Sequence, residues 1–267
     1  MPIFISRGRT SWATGAGTAE TAEQSVEIPS NVKEIIAVRG HVIATNGDPA
    51  ESIIGVFKLT GDNWKNRPYE WFSEIGSGKV GAIDEVGYER EPRWWDCHLP
   101  VSAGSPISVT YEPIDALANN GRAAIDLKFS TGRTGLPARL RKCTRETATS
   151  TTTGEALSLT KVGRVVDFCW GESTSTVAAD DPVAASIVVT CESLIGQQDI
   201  SLNTTIHTIE ATSGVAKTSL QYAEIDMPSS NPTARFTAAL TQDVDLGTAG
   251  QWFYSIGYIP TSIEQID

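Results

Sequence analysis

The chain consists of short apolar stretches separated by Gly, Pro, Asn and Asp. β-branched and aromatic residues dominate these stretches, and such residues favour extended strands that are closed by turns. Polar and apolar positions alternate at 206–210 and 253–258, as expected for strands with one face toward a core. We predict strands at 35–44, 53–59, 107–111, 123–129, 164–168, 184–191, 204–210, 234–240 and 251–259. No convincing long amphipathic helix accompanies them, so the sequence predicts an all-β fold.

The order of turns and strands occurs twice along the chain. Residues 25–129 correspond to residues 156–259, with Val32 matching Val162, Gly40 matching Gly171 and Pro100 matching Pro228. Identity between the halves is low, and Gly and Pro mark turns in any β domain, so unrelated sandwiches are the alternative explanation. We favour two tandem antiparallel β-sandwich domains with jelly-roll-like topology, because each half has the usual size of one domain.

The two predicted domains are residues 1–143 and residues 154–267. Residues 144–153 separate them and are rich in Ser and Thr, which cannot build a core, so we predict a linker or an exposed loop there. The first 23 residues are rich in Gly, Ala and Thr, and we predict an arm that becomes ordered only on assembly. The internal repeat therefore accounts for most of the chain.

Charge is distributed unevenly. The formal net charge is −11, and residues 146–267 contain four basic and fifteen acidic residues. A surface this acidic repels phosphate, which argues against sequence-specific nucleic-acid binding. The four cysteines show no C-x-x-C pair and indicate ordinary core residues. Neither a signal peptide nor a transmembrane segment is evident, so we expect synthesis in a cytoplasm.

Residues 61–100 concentrate aromatic side chains among charges and are predicted to form a long loop of the first domain. Aromatic residues and Arg are enriched at contact surfaces. The candidates for an interface or ligand contact are Trp64, Trp71, Trp94, Trp95, Arg67 and Arg93. The same rings could stack on sugars, or they could pack within their own domain. The sequence leaves these three interpretations open.

One basic cluster precedes the predicted linker. It comprises Arg133, Arg139, Arg141, Lys142 and Arg145. These residues are candidates for contact with another subunit, a membrane surface or a packaged genome. A solvated connector that pairs with acidic neighbours is the alternative.

No catalytic motif is evident. The three histidines, His41, His98 and His207, have no partner at metal-ligand spacing, and no P-loop, dinucleotide fingerprint or nucleophile elbow occurs. We therefore predict no catalytic residue, no cofactor and no metal ligand, and we expect a protein that is not an enzyme. A glycoside hydrolase with paired acidic residues is the reserve hypothesis.

Two consecutive strand-only domains of similar size, with a long loop in the first, resemble the double jelly-roll major capsid proteins of tailless icosahedral viruses. The resemblance spans nearly the whole chain and concerns architecture, since no diagnostic motif is recognisable. It implies that three chains form a pseudo-hexagonal capsomer and that capsomers tile a shell. Minor capsid proteins and an internal membrane would be further partners, and the location would be the virion.

Two function classes follow from these observations. The first is a structural, self-assembling protein, most simply a viral major capsid protein that forms homotrimers. The alternative is a tandem carbohydrate- or receptor-binding module whose aromatic residues line a shallow groove. Solution mass and the burial of the aromatic residues distinguish these classes.

Overall fold

The chain folds into two units, each built from antiparallel strands. The computed structural model of the protein describes residues 5–15, 17–44, 55–64, 67–73, 93–102, 104–114, 121–147, 151–153, 156–173, 183–196, 199–209, 215–217, 220–242 and 251–262. The first unit contains the described residues up to Lys142 together with Ser262, and the second covers Cys143–Thr261. The described residues form strands and turns without a helix, and none of them forms a helix long and apolar enough to cross a membrane.

The described residues of the first unit form eight strands in two sheets. They are β1 (Ile5–Thr14), β2 (Gln24–Ser25), β3 (Glu34–Ala44), β4 (Gly55–Gly61), β5 (Tyr69–Phe72), β6 (Trp95–Pro100), β7 (Ile107–Pro113) and β8 (Gly121–Ser130). One sheet has the order β1-β8-β3-β6 and the other has the order β2-β7-β4-β5. Burial alternates along β4 and β7, so each of these strands has one face in the core.

The second unit repeats this arrangement. Its strands are β9 (Leu140–Thr147), β10 (Thr151–Thr153), β11 (Leu157–Leu159), β12 (Val162–Ser173), β13 (Val183–Thr190), β14 (Asp199–Ile209), β15 (Val215–Lys217), β16 (Gln221–Pro228), β17 (Ala234–Gln242) and β18 (Gln251–Pro260). The first three residues of β9 belong to the first unit. One sheet has the order β9-β18-β12-β16. In the other, β10 and β11 both pair with β17, which continues to β13, β14 and β15.

Both units have the topology of a jelly roll. In each, the first, eighth, third and sixth strands form one sheet, and the second, seventh, fourth and fifth form the other; in the second unit β10 and β11 together take the second place and β15 is an addition. This interleaving closes two Greek keys and leaves few free edges. The all-β prediction of two tandem jelly-roll-like sandwiches is confirmed, and each of the nine predicted stretches coincides with a strand.

An irregularity in the pairing occurs at the same place in both units. The register of β3 with its two neighbours shifts between Ile35 and Ala37. The register of β12 with its two neighbours shifts between Val165 and Asp167. These positions are separated by the spacing that relates Val32 to Val162. Register shifts of this kind bend and twist a strand, so the internal repeat extends to backbone detail.

A glycine on β3 and a glycine on β12 make room for aromatic rings. A Cβ on Gly171 would lie 2.8 Å from two ring atoms of Phe253. A Cβ on Gly40 would overlap the ring of Phe57. Phe57 and Phe253 are fully buried, so the absence of a side chain at each glycine allows close packing in the core.

Three segments differ from the sequence-based expectations. The predicted linker, residues 144–153, contains the end of β9 and the whole of β10, because Thr is β-branched and fits a pleated strand. The predicted loop, residues 61–100, contains β5 and β6. The predicted N-terminal arm contains β1, which pairs with β8 over ten residues and buries Trp12. The described parts of these three stretches therefore belong to the sheets, and residues 74–92 of the predicted loop lie outside the described residues.

Candidate functional site

Most of the candidate aromatic residues belong to the core of the first unit. Trp64, Trp71 and Trp95 are 5%, 0% and 3% exposed. Trp71 stacks on Phe57 with ring centroids 5.2 Å apart, and its neighbour Tyr69 packs against it at 5.8 Å. This burial corresponds to packing within their own domain. Side chains so enclosed cannot anchor a partner or stack on a sugar without opening the unit.

Trp94 lies at the outer face of the β1-β8-β3-β6 sheet. The guanidinium of Arg39 lies 4.6 Å from the centre of its ring, and the ammonium of Lys128 lies 4.1 Å from it. Cation–π contacts of this kind hold an aromatic ring in a fixed position. Two cations therefore occupy the vicinity of the Trp94 ring where a sugar would stack.

Asp126 is the acidic centre of this outer face. Its carboxylate accepts hydrogen bonds from Arg39 Nε at 2.8 Å and from His41 Nε2 at 3.2 Å, and Arg9 Nε lies at 3.4 Å. Burial alone would raise the pKa of Asp126, but the bonds from Arg39 and His41 outweigh it and hold the pKa below its ordinary value. Burial lowers the pKa of His41, and the bond to Asp126 offsets only part of this effect. The cluster ties three adjacent strands together.

The remaining candidate arginines of the aromatic segment have separate positions. Arg67 donates to the backbone oxygen of Ser262 at 3.3 Å. Arg93 is exposed, with its guanidinium 5.1 Å from the ring centre of Trp95. The structure therefore does not gather the six predicted contact residues into one surface.

The basic cluster is also divided. Arg141 is only 3% exposed, and its guanidinium lies 4.3 Å from the ring centre of Trp95. Lys142 forms an ion pair with the buried carboxylate of Glu70. Arg139 is half-buried, whereas Arg133 and Arg145 are exposed. Arg141 and Lys142 thus stabilise the first unit, and the exposed positions remain candidates for contact with a partner.

A buried polar group fixes the segment that contains Arg133. The carboxylate of Glu34 accepts a hydrogen bond from His98 Nδ1 at 2.8 Å. It also accepts bonds from the backbone N–H and the Oγ1 hydroxyl of Thr134, both at 2.7 Å. Glu34 is 3% exposed and His98 is 8% exposed. A buried carboxylate with this many donors is well satisfied and anchors the segment of Thr134 to β3.

His98 has an unusual backbone conformation. Its φ of 51° lies in the left-handed region, which costs a non-glycine residue about 1–3 kcal/mol. It lies where the pairing of β3 with β6 shifts, and the adjacent Cys97 is fully buried. Burial raises the pKa of the Cys97 thiol well above its ordinary value, so the thiol is protonated and unreactive at neutral pH. The bond to Glu34 helps to hold His98 in this conformation.

Sequence reasoning missed the Asp126 and Glu34 clusters. Their members come from strands far apart in the chain, and only strand pairing brings them together. The alternating charged positions of β3 and β8, at Arg39, His41 and Asp126, were an available signal. Interpreted as one outward face, they would have pointed to a charged surface on this sheet.

Comparison with protein-family models gives no match, and comparison with curated proteins gives none. Among solved structures, the chain is similar to a peptide-N(4)-(N-acetyl-β-D-glucosaminyl) asparagine amidase, with 9% identity, 98% of both chains covered and a TM-score of 0.48. A structure of PNGase F, a glycosylasparaginase from Flavobacterium meningosepticum, shows 8% identity over 97% of both chains and a TM-score of 0.47.

Viral structures are also similar to the chain. A chain from the structure of Sulfolobus Turreted Icosahedral Virus shows 12% identity, with 97% of this chain and 91% of that chain covered and a TM-score of 0.42. The major capsid protein P2 from bacteriophage PM2 shows 11% identity, with 95% and 98% covered and a TM-score of 0.39. Likenesses at these identities concern the fold and transfer no activity.

The expectation that the chain is not an enzyme, which was drawn from the absence of catalytic motifs, is contradicted by the comparison with solved structures. The similar structures include an amidase that matches along nearly the whole of both chains. The sequence argument relied on missing motifs, and a fold can carry chemistry that no short motif reveals. The similar structures thus include both viral capsid proteins and an enzyme.

Proposed function

We propose that this chain is a structural protein of a virion, a major capsid protein that assembles through homotrimers into a shell. The observation that carries the proposal is the duplication of one jelly roll within a single chain, down to the register shifts at Ile35–Ala37 and Val165–Asp167. Three such chains around an axis present six similar modules. Six similar modules around one axis fit a hexagonal lattice. Because each chain already joins two modules, three chains rather than six separate modules have to associate.

The physical properties of the units suit this role. A shell protein has to expose large lateral surfaces without allowing its sheet edges to polymerise in the wrong way, and jelly rolls limit such edges. Both units have densely packed aromatic cores, with Trp71 and Trp252 fully buried. Such cores keep each module rigid, so that lateral surfaces retain their shape during assembly.

The partners in this proposal are other copies of the chain first, and then minor capsid proteins and an internal membrane. The location is the virion, after synthesis in the host cytoplasm. The acidic second half makes sequence-specific recognition of nucleic acid an unsuitable role. The carbohydrate-binding alternative loses its main support, because Trp64, Trp71 and Trp95 are buried.

The test is the solution mass of the purified chain, measured by light scattering behind a sizing column over a range of concentrations. We expect a species with three times the mass of one chain, and shells visible by negative-stain electron microscopy on further concentration. The measurement is made at low and moderate salt, because charged contacts weaken as salt rises. A mass of one chain at every concentration and salt would overturn the proposal.

A further inference from the structure

Two large apolar side chains are exposed among the described residues, and one lies in each unit. Leu136 is 59% exposed, in the segment between β8 and β9. Ile195 is 57% exposed, in the turn that follows β13. A single exposed aliphatic residue is ordinary on a protein surface. The inference therefore depends on how each side chain is held and on the charges around it.

The backbone around Leu136 is held to the first unit. Its N–H donates to the hydroxyl of Thr134 at 3.3 Å, and Thr134 is bound through its own N–H to the buried carboxylate of Glu34 at 2.7 Å. Three residues further on, Arg139 N–H donates to the carbonyl of Cys97 at 2.7 Å. Leu136 thus lies at the tip of a segment that is tied down on both sides.

The turn that carries Ile195 is fixed in the same manner. Its N–H donates to the carbonyl of Pro228 at 2.9 Å, and the preceding Leu194 is 4% exposed and pairs with Ser229. Ser230 N–H donates to the carbonyl of Ser193 at 2.7 Å. The turn is therefore attached to the end of β16, and the Ile195 side chain projects from a rigid support.

The charges around the two side chains have opposite signs. Arg133 is exposed three residues before Leu136 and Arg139 is half-buried three residues after it, and residues 127–145 contain no Asp or Glu. Glu192 is exposed three residues before Ile195 and Asp199 is exposed four residues after it, and no Lys or Arg occurs in the sequence between Arg164 and Lys217. The charged side chains nearest in sequence are thus basic at Leu136 and acidic at Ile195, and they are complementary in sign.

We propose that Leu136 of one copy contacts Ile195 of another copy, with the basic segment of the first unit against the acidic turn of the second. The inference rests on the proposed function, since the partner is a second copy of this chain. The contact is heterologous, because it joins different surfaces of the two copies, and three such contacts can close a ring. Rigid apolar anchors lose little conformational freedom on binding, and the opposite charges select the correct pairing.

The first experiment replaces each anchor separately by an acidic residue. Leu136→Asp and Ile195→Asp are expected to fold as the wild type does, because both side chains face solvent, and circular dichroism checks this. Each is expected to convert the wild-type trimer into a monomer in mass photometry. Leu136→Met is the matched control and should retain the trimer. Trimers that persist in both Asp variants would overturn this inference and leave the proposed function standing.

Mixing the two variants tests the direction of the contact. A Leu136→Asp chain retains Ile195, and an Ile195→Asp chain retains Leu136, so the mixture has one intact contact and forms open pairs of chains but no closed trimer. Pairs are expected well above the concentration at which the wild type is fully trimeric. A mixture that remains monomeric there would overturn the pairing of Leu136 with Ile195.

Exchanging the charges of Arg133 and Glu192 tests the charged part of the contact independently of the apolar anchors. Arg133→Glu should weaken the trimer several-fold, and combination with Glu192→Arg in the same chain should recover most of the loss. Arg235→Glu, at an exposed position on β17, is the matched control and should change little. Equal weakening by Arg133→Glu and Arg235→Glu would contradict the assigned surface. A wild-type chain that is monomeric at every concentration would overturn both the proposed function and this inference.

Discussion

Replacement of Asp126 by Asn should destabilise the first unit far more than the same replacement of Asp226 destabilises the second. Both carboxylates contact an arginine at 2.8 Å, Asp126 through Arg39 and Asp226 through Arg164. The pairs differ in burial. Asp126 and Arg39 have side chains that are 13% and 14% exposed, whereas Asp226 and Arg164 are 69% and 47% exposed. The comparison therefore isolates the effect of solvent exposure on the stability that an Asp–Arg ion pair contributes.

The expected magnitudes follow from that difference. Asp126 also accepts a bond from His41 and has Arg9 nearby, and Asp126→Asn leaves the mostly buried Arg39 guanidinium without its counter-charge. Each hydrogen bond to a charged group contributes about 1.5–3 kcal/mol, and Asn retains one acceptor oxygen, so we expect a loss of about 2–4 kcal/mol. An exposed pair contributes about 0–1 kcal/mol, which is the expected loss for Asp226→Asn.

The assay is equilibrium unfolding in urea, followed by far-ultraviolet circular dichroism at pH 7 and again at low pH. The folded pKa of Asp126 lies below its unfolded value. The stabilisation is therefore fully present above a pH of about 4 and is lost as the pH falls through the depressed folded pKa. The difference between Asp126→Asn and the wild type should accordingly shrink below that pH. Equal losses for the two variants at pH 7 would refute the reasoning.

Two further predictions concern packing. Gly171→Ala should lower the free energy of unfolding by about 1–3 kcal/mol, because the new methyl would meet the Phe253 ring at 2.8 Å. Gly15→Ala is the control, since nothing lies within 4 Å of a Cβ at that position. Equal losses of stability for the two variants in urea unfolding would contradict the packing argument. Trp12→Ala should lower the free energy of unfolding by about 3–5 kcal/mol, because Trp12 is 6% exposed in a strand of the sheet. Ser11→Ala, at an exposed position of the same strand, should change it by no more than about 0.5 kcal/mol. A Trp12→Ala variant that folds and unfolds at the wild-type temperature would support the original prediction of an N-terminal arm.

Local pattern was sufficient to place the regular strands. Stretches such as β8 and β17 have apolar side chains at alternating positions, and that period belongs to a pleated strand wherever it occurs. The repeated order of turns likewise predicted two sandwiches of one topology. Composition misled in two segments. The Thr-rich stretch at β10 has the composition of a linker, and the Gly- and Arg-containing stretch at β1 has that of an arm, yet both pair in sheets.

The surroundings of each side chain were decided by tertiary structure. Trp71 lies inside and Leu136 outside, and neither outcome follows from the neighbouring sequence, in which Glu70 and Phe72 flank Trp71 and a Gly and a Pro flank Leu136. Likewise, Asp126 meets Arg39 only because β8 pairs with β3 across 87 positions of the chain. The sequence alone determined the strands and their repetition, since these depend on local periodicity. The core, the charged clusters and the exposed anchors depend on non-local pairing register, which no local pattern contains.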